Sequence, residues 1–189
     1  MGMREIWLVR HGESVANVAA SRAELDGAAA IDIAQRDADV LEAFLAGLPR
    51  DTAAALELAA GHDARVAGRA HLVIDGVRPI RHAFEPRHES FGDAAALDIL
   101  RRYDVALVEA DTAGTWPRFR EPTASFRYVR LHGSQALYAG GYSDAELDEW
   151  AAAIRSWRAA GDDVYVYFDN DIDGRAPFDA EGLRARLRT

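Results

Sequence analysis

Two residue types are missing from this chain: it has no cysteine and no lysine, so all 22 of its basic side chains are arginine. Without cysteine there are no disulfides, thiolate nucleophiles, thiolate-bound zinc sites or iron–sulfur clusters. Without lysine there is no Schiff-base chemistry, no phosphate-loop lysine and no Ser-x-x-Lys nucleophile pair. Basic charge is scarce as well: 22 basic against 31 acidic side chains give a net charge of −9. That balance opposes general affinity for nucleic acid, whose phosphates need a basic face. No stretch approaches the roughly 18 continuous apolar residues of a membrane span. Residues 1–9 are too short and too interrupted by charge for a signal sequence. The expectation is a cytoplasmic protein with neither membrane nor nucleic acid as partner. His, Asp, Glu, Ser, Thr and Tyr remain for acid, base or nucleophile, with Arg to hold anions.

The 189 residues are 49% apolar and 28% charged, which suffices for one cored domain or one and a small piece. Residues 6–9 read as a short buried strand running into the turn Arg10-His11-Gly12-Glu13-Ser14. From Leu41 the texture changes. Leu41, Phe44 and Leu45 keep helical spacing, Gly47 and Pro49 stop that helix, and Asp51 can cap a second one ending at Gly61. Strands are expected at 71–74, 80–85, 105–110, 126–131 and 164–168. Asp93 caps a helix to about Arg102, and Ser143-Asp-Ala-Glu146 is a capping box ahead of the stripe Leu147, Trp150, Ala151, Ile154 and Trp157. A terminal helix is expected over 180–187. Strands and helices alternating in this way define an α/β fold with a mainly parallel sheet of βα units.

Ligands of parallel α/β folds bind beyond the carboxyl ends of the strands, so the residues that follow each strand carry the functional expectations. Arg10, His11 and Glu13 follow the first; Glu85, Arg87, His88 and Glu89 a later one. Glu109 and Asp111 come next, then Arg130 and His132, and finally Asp169, Asn170 and Asp171. Such positions also meet solvent, so polar residues belong there without any function. The candidate set is Glu85, Arg87 and His88 with Asp111, Arg130, His132 and Asn170, lining one mouth. Glu85, His88, Asp111 and His132 have the O and N donors for a divalent metal such as Mn, Zn or Fe; a buried ion network of Arg87 and Arg130 with Glu85 and Asp111 competes with that assignment. No cofactor is otherwise expected. The arginines favour a small anionic or phosphorylated molecule as partner. Tyr165 and Tyr167, and Trp150 and Trp157, are read as core rather than a stacking platform. Asp169-Asn170-Asp171-Ile172-Asp173-Gly174 begins like a calcium loop but has Ala180 where the twelfth-position glutamate belongs.

Leu8-Val9-Arg10-His11-Gly12-Glu13-Ser14 with Asn17, and then Ile31-Asp32-Ile33 and Arg36 to Asp39, resembles the opening of the histidine phosphatase (phosphoglycerate mutase-like) superfamily. The resemblance implies His11 as phosphoryl-accepting nucleophile and Arg10 as phosphate clamp, completed by a second histidine (His132), a second arginine (Arg65 or Arg69) and an acid (Glu85 or Glu89). The Ser-x-x-Arg-Ala context of that family's second arginine is absent here.

A second resemblance runs through the rest of the chain. Phe84-Glu85-Pro86-Arg87-His88-Glu89-Ser90-Phe91, residues 105–111, Tyr128-Val129-Arg130-Leu131-His132-Gly133, Tyr142-Ser143-Asp144 and residues 164–171 with Ala176-Pro177 are similar, in order, to the YecE-like family (domain of unknown function 72). It implies a TIM-barrel-like fold and no particular reaction. A complete barrel takes ~250 residues, so the chain is expected to be an incomplete TIM barrel: residues 1–40 a phosphatase-like segment, residues 41–189 a truncated YecE-like domain, the two joined as a fusion. Self-association through open sheet edges follows as an expectation. Three functions are left open: a YecE-like small-molecule or anion site, a histidine-dependent phosphohydrolase or phosphomutase, and a non-catalytic remnant. An enzyme built from these groups would be a hydrolase, phosphohydrolase or metal-assisted.

Overall fold

The structure, a computed structural model, describes residues 36–188. The strand expected at 6–9, with Arg10 and His11, lies outside the described residues. The chain divides into two compact units, Met1–His82 and Ala83–Thr189.

In the first unit, α1 (Arg36–Ala46) buries Leu41 and Leu45, while Val40 and Phe44 on its other side are exposed. Helix α2 (Thr52–Ala60) is capped as expected: the Asp51 carboxylate accepts from the Ala54 N–H, and Gly61 closes the helix. The backbone on either side of α2 is tied by Thr52 N–H to Arg78 O at 2.9 Å and Ile80 N–H to Arg50 O at 2.8 Å. His82, 6% exposed, bonds through Nε2 to Pro49 O at 2.7 Å. Residues 71–74 form no strand; Leu72 and Val73 are exposed, so the apolar pattern there has no sheet to enter.

The second unit contains the sheet. Strand β1 (His82–Phe84) begins at the division and is shorter than the 80–85 expectation. After it come α3 (Ala94–Arg102), β2 (Val105–Leu107), β3 (Glu109–Asp111), β4 (Phe126–Leu131), α4 (Asp144–Ala159), β5 (Asp163–Phe168) and α5 (Ala176–Leu187). The run 105–110 is thus two strands: Val108 belongs to neither, although its N–H still donates to Phe84 O of β1 at 2.9 Å, and after it the chain passes from pairing with β1 to pairing with β4. Strands β1 and β2 pair, and β3, β4 and β5 form a parallel sheet in that order. Helix α5 starts at Ala176 rather than 180 because Pro177, which has no N–H to lose, suits a first turn. Among the described residues no closed barrel is formed.

Side-chain parity divides the sheet into two faces. On one, Val129 and Leu131 of β4 pack with Leu147, Trp150, Ala151 and Ile154 of α4 and Leu183 of α5, flanked by Val164, Val166 and Phe168 of β5. This helix face holds the core, and the expected α4 stripe supplies it. The other, inner face carries Phe126, Tyr128 and Arg130 of β4 beside Tyr165 and Tyr167 of β5. Tyr128 and Tyr167 stack at 5.1 Å and 16°. The capping box at Ser143 and Glu146 is formed reciprocally and fixes where α4 starts.

Candidate active site

The inner face ends in a charged cluster beyond the strand carboxyl termini. Arg130, near the end of β4, reaches Glu85 with Nη1 at 2.6 Å and Asp169 with Nη2. Two residues further along the chain, just past the end of β4, His132 donates from Nε2 to Glu85 Oε1 at 3.0 Å. With Glu85 ionised, the proton of that pair sits on Nε2. His132 Nδ1 lies 3.4 Å from Asp169 Oδ2 but has no hydrogen-bond partner among the described residues. The imidazole is fully buried, whereas about a quarter of the Asp169 and Arg130 side chains meets solvent. Trp116 and Tyr138 close on the ring edge-on, with centroids at 6.2 and 5.3 Å. Burial pushes Glu85 up, but the hydrogen bonds from His132 and Arg130, with their charge, win and hold its carboxyl below the usual range.

Arg87 joins this cluster indirectly. Its guanidinium lies 4.0 Å from the centre of the Trp116 ring, whose edge faces His132. Arg87 is exposed and has no carboxylate partner among the described residues, so it is the cation open to a ligand. The competing expectation of a network of Arg87 and Arg130 with Glu85 and Asp111 is therefore half right: Arg130 is networked, but with Glu85 and Asp169.

Three expected site residues are elsewhere. Asp111 pairs in register with Leu131, not Arg130, and so falls on the helix face. There burial pushes its carboxyl up despite nearby Arg118 and a hydrogen bond from Tyr142. Asn170, one residue past Asp169, also points to the helix side: its Nδ2 donates to Gly140 O at 2.8 Å and to the buried Asp179 at 2.7 Å. Asp179 accepts from Tyr142 N–H as well, at 3.1 Å, so Asn170 and Asp179 are a structural pair holding the loop to α5. His88 caps the short turn Glu89–Gly92, its Nδ1 bonded to Ser90. The proposed ligand set Glu85, His88, Asp111 and His132 therefore does not gather, and among the described residues no three His, Asp or Glu side chains are grouped to hold a metal. The loop 169–174 is likewise occupied with its own chain, Asp173 accepting from the Gly140 N–H at 2.9 Å.

Asp169, Trp116 and Tyr138 are the members that sequence reasoning did not select. Parity could have found Asp169, since it continues the inward series of Tyr165 and Tyr167, while Asn170 continues Val166 and Phe168. Trp116 and Tyr138 come from irregular segments, where no periodicity speaks. The phosphatase arrangement also fits poorly at its described end: His132 has a carboxylate near each ring nitrogen, which would repel a phosphoryl group. His11 and Arg10 lie outside the described residues.

These observations define an α/β protein with a parallel sheet and a polar cluster beyond the strand carboxyl ends. Residues 29–189 match the family model described as "Protein of unknown function DUF72", and the chain belongs to that family. The match begins inside the segment 1–40, and the resemblance of that segment to histidine phosphatases finds no support in the comparisons. Two solved structures are similar in fold. A DUF72 family protein from Enterococcus faecalis is 20% identical, with a TM-score of 0.51 over 58% of this chain and 47% of that one. A DUF72 family protein from Thermotoga maritima is 23% identical, with a TM-score of 0.50 over 58% of this chain and 46% of that one. The aligned part thus spans about half the length of either structure. No curated protein matches. No helix among the described residues is long and apolar enough to cross a membrane.

Proposed function

We propose that the inner-face cluster binds a small polar molecule bearing an anionic group, and that it moves a proton to or from that molecule through Asp169. The observation that carries this reading is His132, fully buried between Glu85 and Asp169 while Arg130 bridges the same two carboxylates. Glu85 orients the ring through Nε2–H, which leaves Nδ1 facing Asp169, the member of the trio open to solvent. A buried polar atom without a partner is costly as mere structure and is explained by a group that exchanges protons with its neighbour. Arg130 is already matched by two carboxylates, so the anionic end of a ligand belongs at Arg87, on the Trp116 ring. In this reading the sheet is part of a TIM-barrel-like frame, with the inner face toward the barrel axis.

Inorganic phosphate and malonate are suitable first probes, followed by the chemical shifts of the Trp116 indole N–H and the His132 ring. Both probes are expected to shift Trp116 in the wild type and to lose that effect in Arg87→Ala. Asp169→Asn is expected to keep probe binding while changing the pH dependence of the His132 ring signals. Equal probe responses in wild type and Arg87→Ala would remove Arg87 as the anion contact. An unchanged His132 titration in Asp169→Asn would remove the proton relay.

A further inference from the structure

The inner face carries a feature that the proton-moving cluster leaves unused: a row of three tyrosines leading up to it. Parity puts Tyr128 of β4 with Tyr165 and Tyr167 of β5 on this face, and Tyr167 pairs in register with Arg130. The Tyr128 ring centre lies 6.4 Å from that of Tyr165 at 30° and 5.1 Å from that of Tyr167 at 16°, so Tyr128 sits between the other two. Phe126 closes the Tyr165 end, edge-on at 5.8 Å. At the other end the stack stops. Tyr167, expected from the sequence as core, is 38% exposed, and β5 is the outer strand of its sheet among the described residues. The ring face that Tyr167 turns away from Tyr128 looks along β5 toward Asp169, two residues on.

One exposed aromatic ring means little by itself; the groups at its rim carry the argument. Asp169 meets Arg130 and His132 through Oδ2, and its Oδ1 accepts from no described residue. The Tyr128 hydroxyl is turned to Tyr167, Arg130 and Glu85 yet, like His132 Nδ1, makes no hydrogen bond of normal geometry among the described residues. Burial pushes the Tyr128 phenol up, so it stays a neutral donor. An open aromatic face bordered by a carboxylate, a guanidinium and hydroxyls suits a ligand with an apolar face and an edge that donates and accepts repeatedly. A cyclic sugar is built that way. Its axial C–H bonds, slightly positive, meet the negative ring face, while each hydroxyl both donates and accepts. The edge of a flat heteroaromatic offers only one or two such groups, and an acyclic polyol has no apolar face to stack.

We propose that Tyr167 and Asp169 form a sugar subsite of the inner-face cluster: a cyclic sugar lies on the open face of Tyr167 and donates a hydroxyl to Asp169 Oδ1. This rests on the inner-face reading above and narrows its small polar molecule to a sugar bearing the anionic group, such as a sugar phosphate or a uronic acid.

The test is saturation-transfer difference NMR on the full chain, irradiating the protein's aromatic protons, with methyl β-glucopyranoside and methyl β-ribofuranoside as neutral probes. Saturation should reach the axial protons on one face of the glucoside, with a Kd of about 1–10 mM, and should not reach sorbitol, which has the hydroxyls without the ring. Tyr167→Phe should keep this binding. Tyr167→Leu, which keeps an apolar side chain on the strand but no flat face, should weaken it at least about tenfold. The phosphate-induced shift of the Trp116 indole N–H should persist in Tyr167→Leu, showing that the variant folds. No transfer to either glycoside, equal transfer to sorbitol, or undiminished binding in Tyr167→Leu overturns the sugar subsite, as does binding of adenine in place of the glycosides. Because the Trp116 shift reports the anion contact separately, a lost sugar signal with the phosphate response retained counts against this proposal alone. A missing phosphate response in the wild type, with glycosides still bound, counts against the contact at Arg87 instead.

Discussion

Asp169 and Asn170 are neighbours with opposite fates, and the difference is one step of strand parity. Asp169 ends on the inner face with Arg130 and beside His132; Asn170 is buried against Asp179 on the helix face. Asp179→Ala would leave Tyr142 N–H and one of the two Asn170 Nδ2 hydrogens without an acceptor, the other still reaching Gly140 O, and is expected to cost about 2–4 kcal/mol in urea unfolding. Asp169→Asn, at a partly exposed position where Arg130 retains Glu85, should stay within about 1 kcal/mol; the reverse ranking would refute the division of roles. Two other residues set an acid response. Glu85 is held below its ordinary value of 4.5, so the folded state favours the carboxylate. Its contribution is present above 4.5 and is lost as pH falls through the folded value. His82 is held below 6.5, chiefly by burial and against the bond to Pro49, so the folded state favours the neutral ring. The unfolded chain takes up that proton first, and stability declines as pH drops below 6.5 until the folded ring also protonates. Urea titrations across this range should therefore show two separate losses, with Glu85→Gln removing the lower one; an unaltered profile in Glu85→Gln would contradict the assignment.

At the scale of elements, the turn after β4 decides how the site is closed. Gly133 has φ of 122°, and a Cβ there would come within 2.1 Å of Ala136 O. The obstacle is backbone, so no side chain can yield. Its N–H donates to the Tyr142 hydroxyl at 3.1 Å, and Tyr138 farther along the same loop brings its ring to His132. Gly133→Ala is expected to lose at least about 3 kcal/mol of stability and, because Tyr138 moves with the loop, to alter the His132 ring signals as well. A melting temperature equal to that of the wild type would show that the turn does not need this conformation. The capping box at Ser143 restarts regular structure right after this loop, which is why the site and the core share one short connection.

For the whole molecule, burial is unevenly distributed. Among the described residues of the first unit, Leu41, Leu45 and His82 are the buried side chains, while Leu58, Val73 and Val77 are more than 60% exposed. The second unit concentrates its buried residues between the β3–β5 sheet and helices α4 and α5. Local stability follows buried apolar contact, so amide hydrogen exchange should be slowest in β4 and α4 and much faster in α1 and α2. Uniform protection across both units would mean that the first is stabilised by something beyond its own packing.

Much of this was open to reading in the sequence. The βα alternation, the capping box at Ser143, the Asp51 cap, the α4 stripe, and Glu85, Arg130 and His132 at strand ends all follow from local patterns, because caps and periodicity depend on residues a few positions apart. The family is equally a property of ordered motifs along the chain. Tertiary structure alone decided which strand-end residues meet. Asp111 and Asn170 lie one residue off the parity of Arg130, and that register is set by pairing between strands rather than within them. The break at Val108 was likewise invisible, since an apolar run reads the same whether or not a strand passes through it unbroken. The missing cysteines and lysines excluded thiolate and amine chemistry and left histidine, carboxylates and hydroxyls, with arginine for anions; the fold determined that Glu85, His132 and Asp169 gather in one cluster while Asp111 and Asn170 turn to the helix face, because pairing between strands sets which side chains share a side.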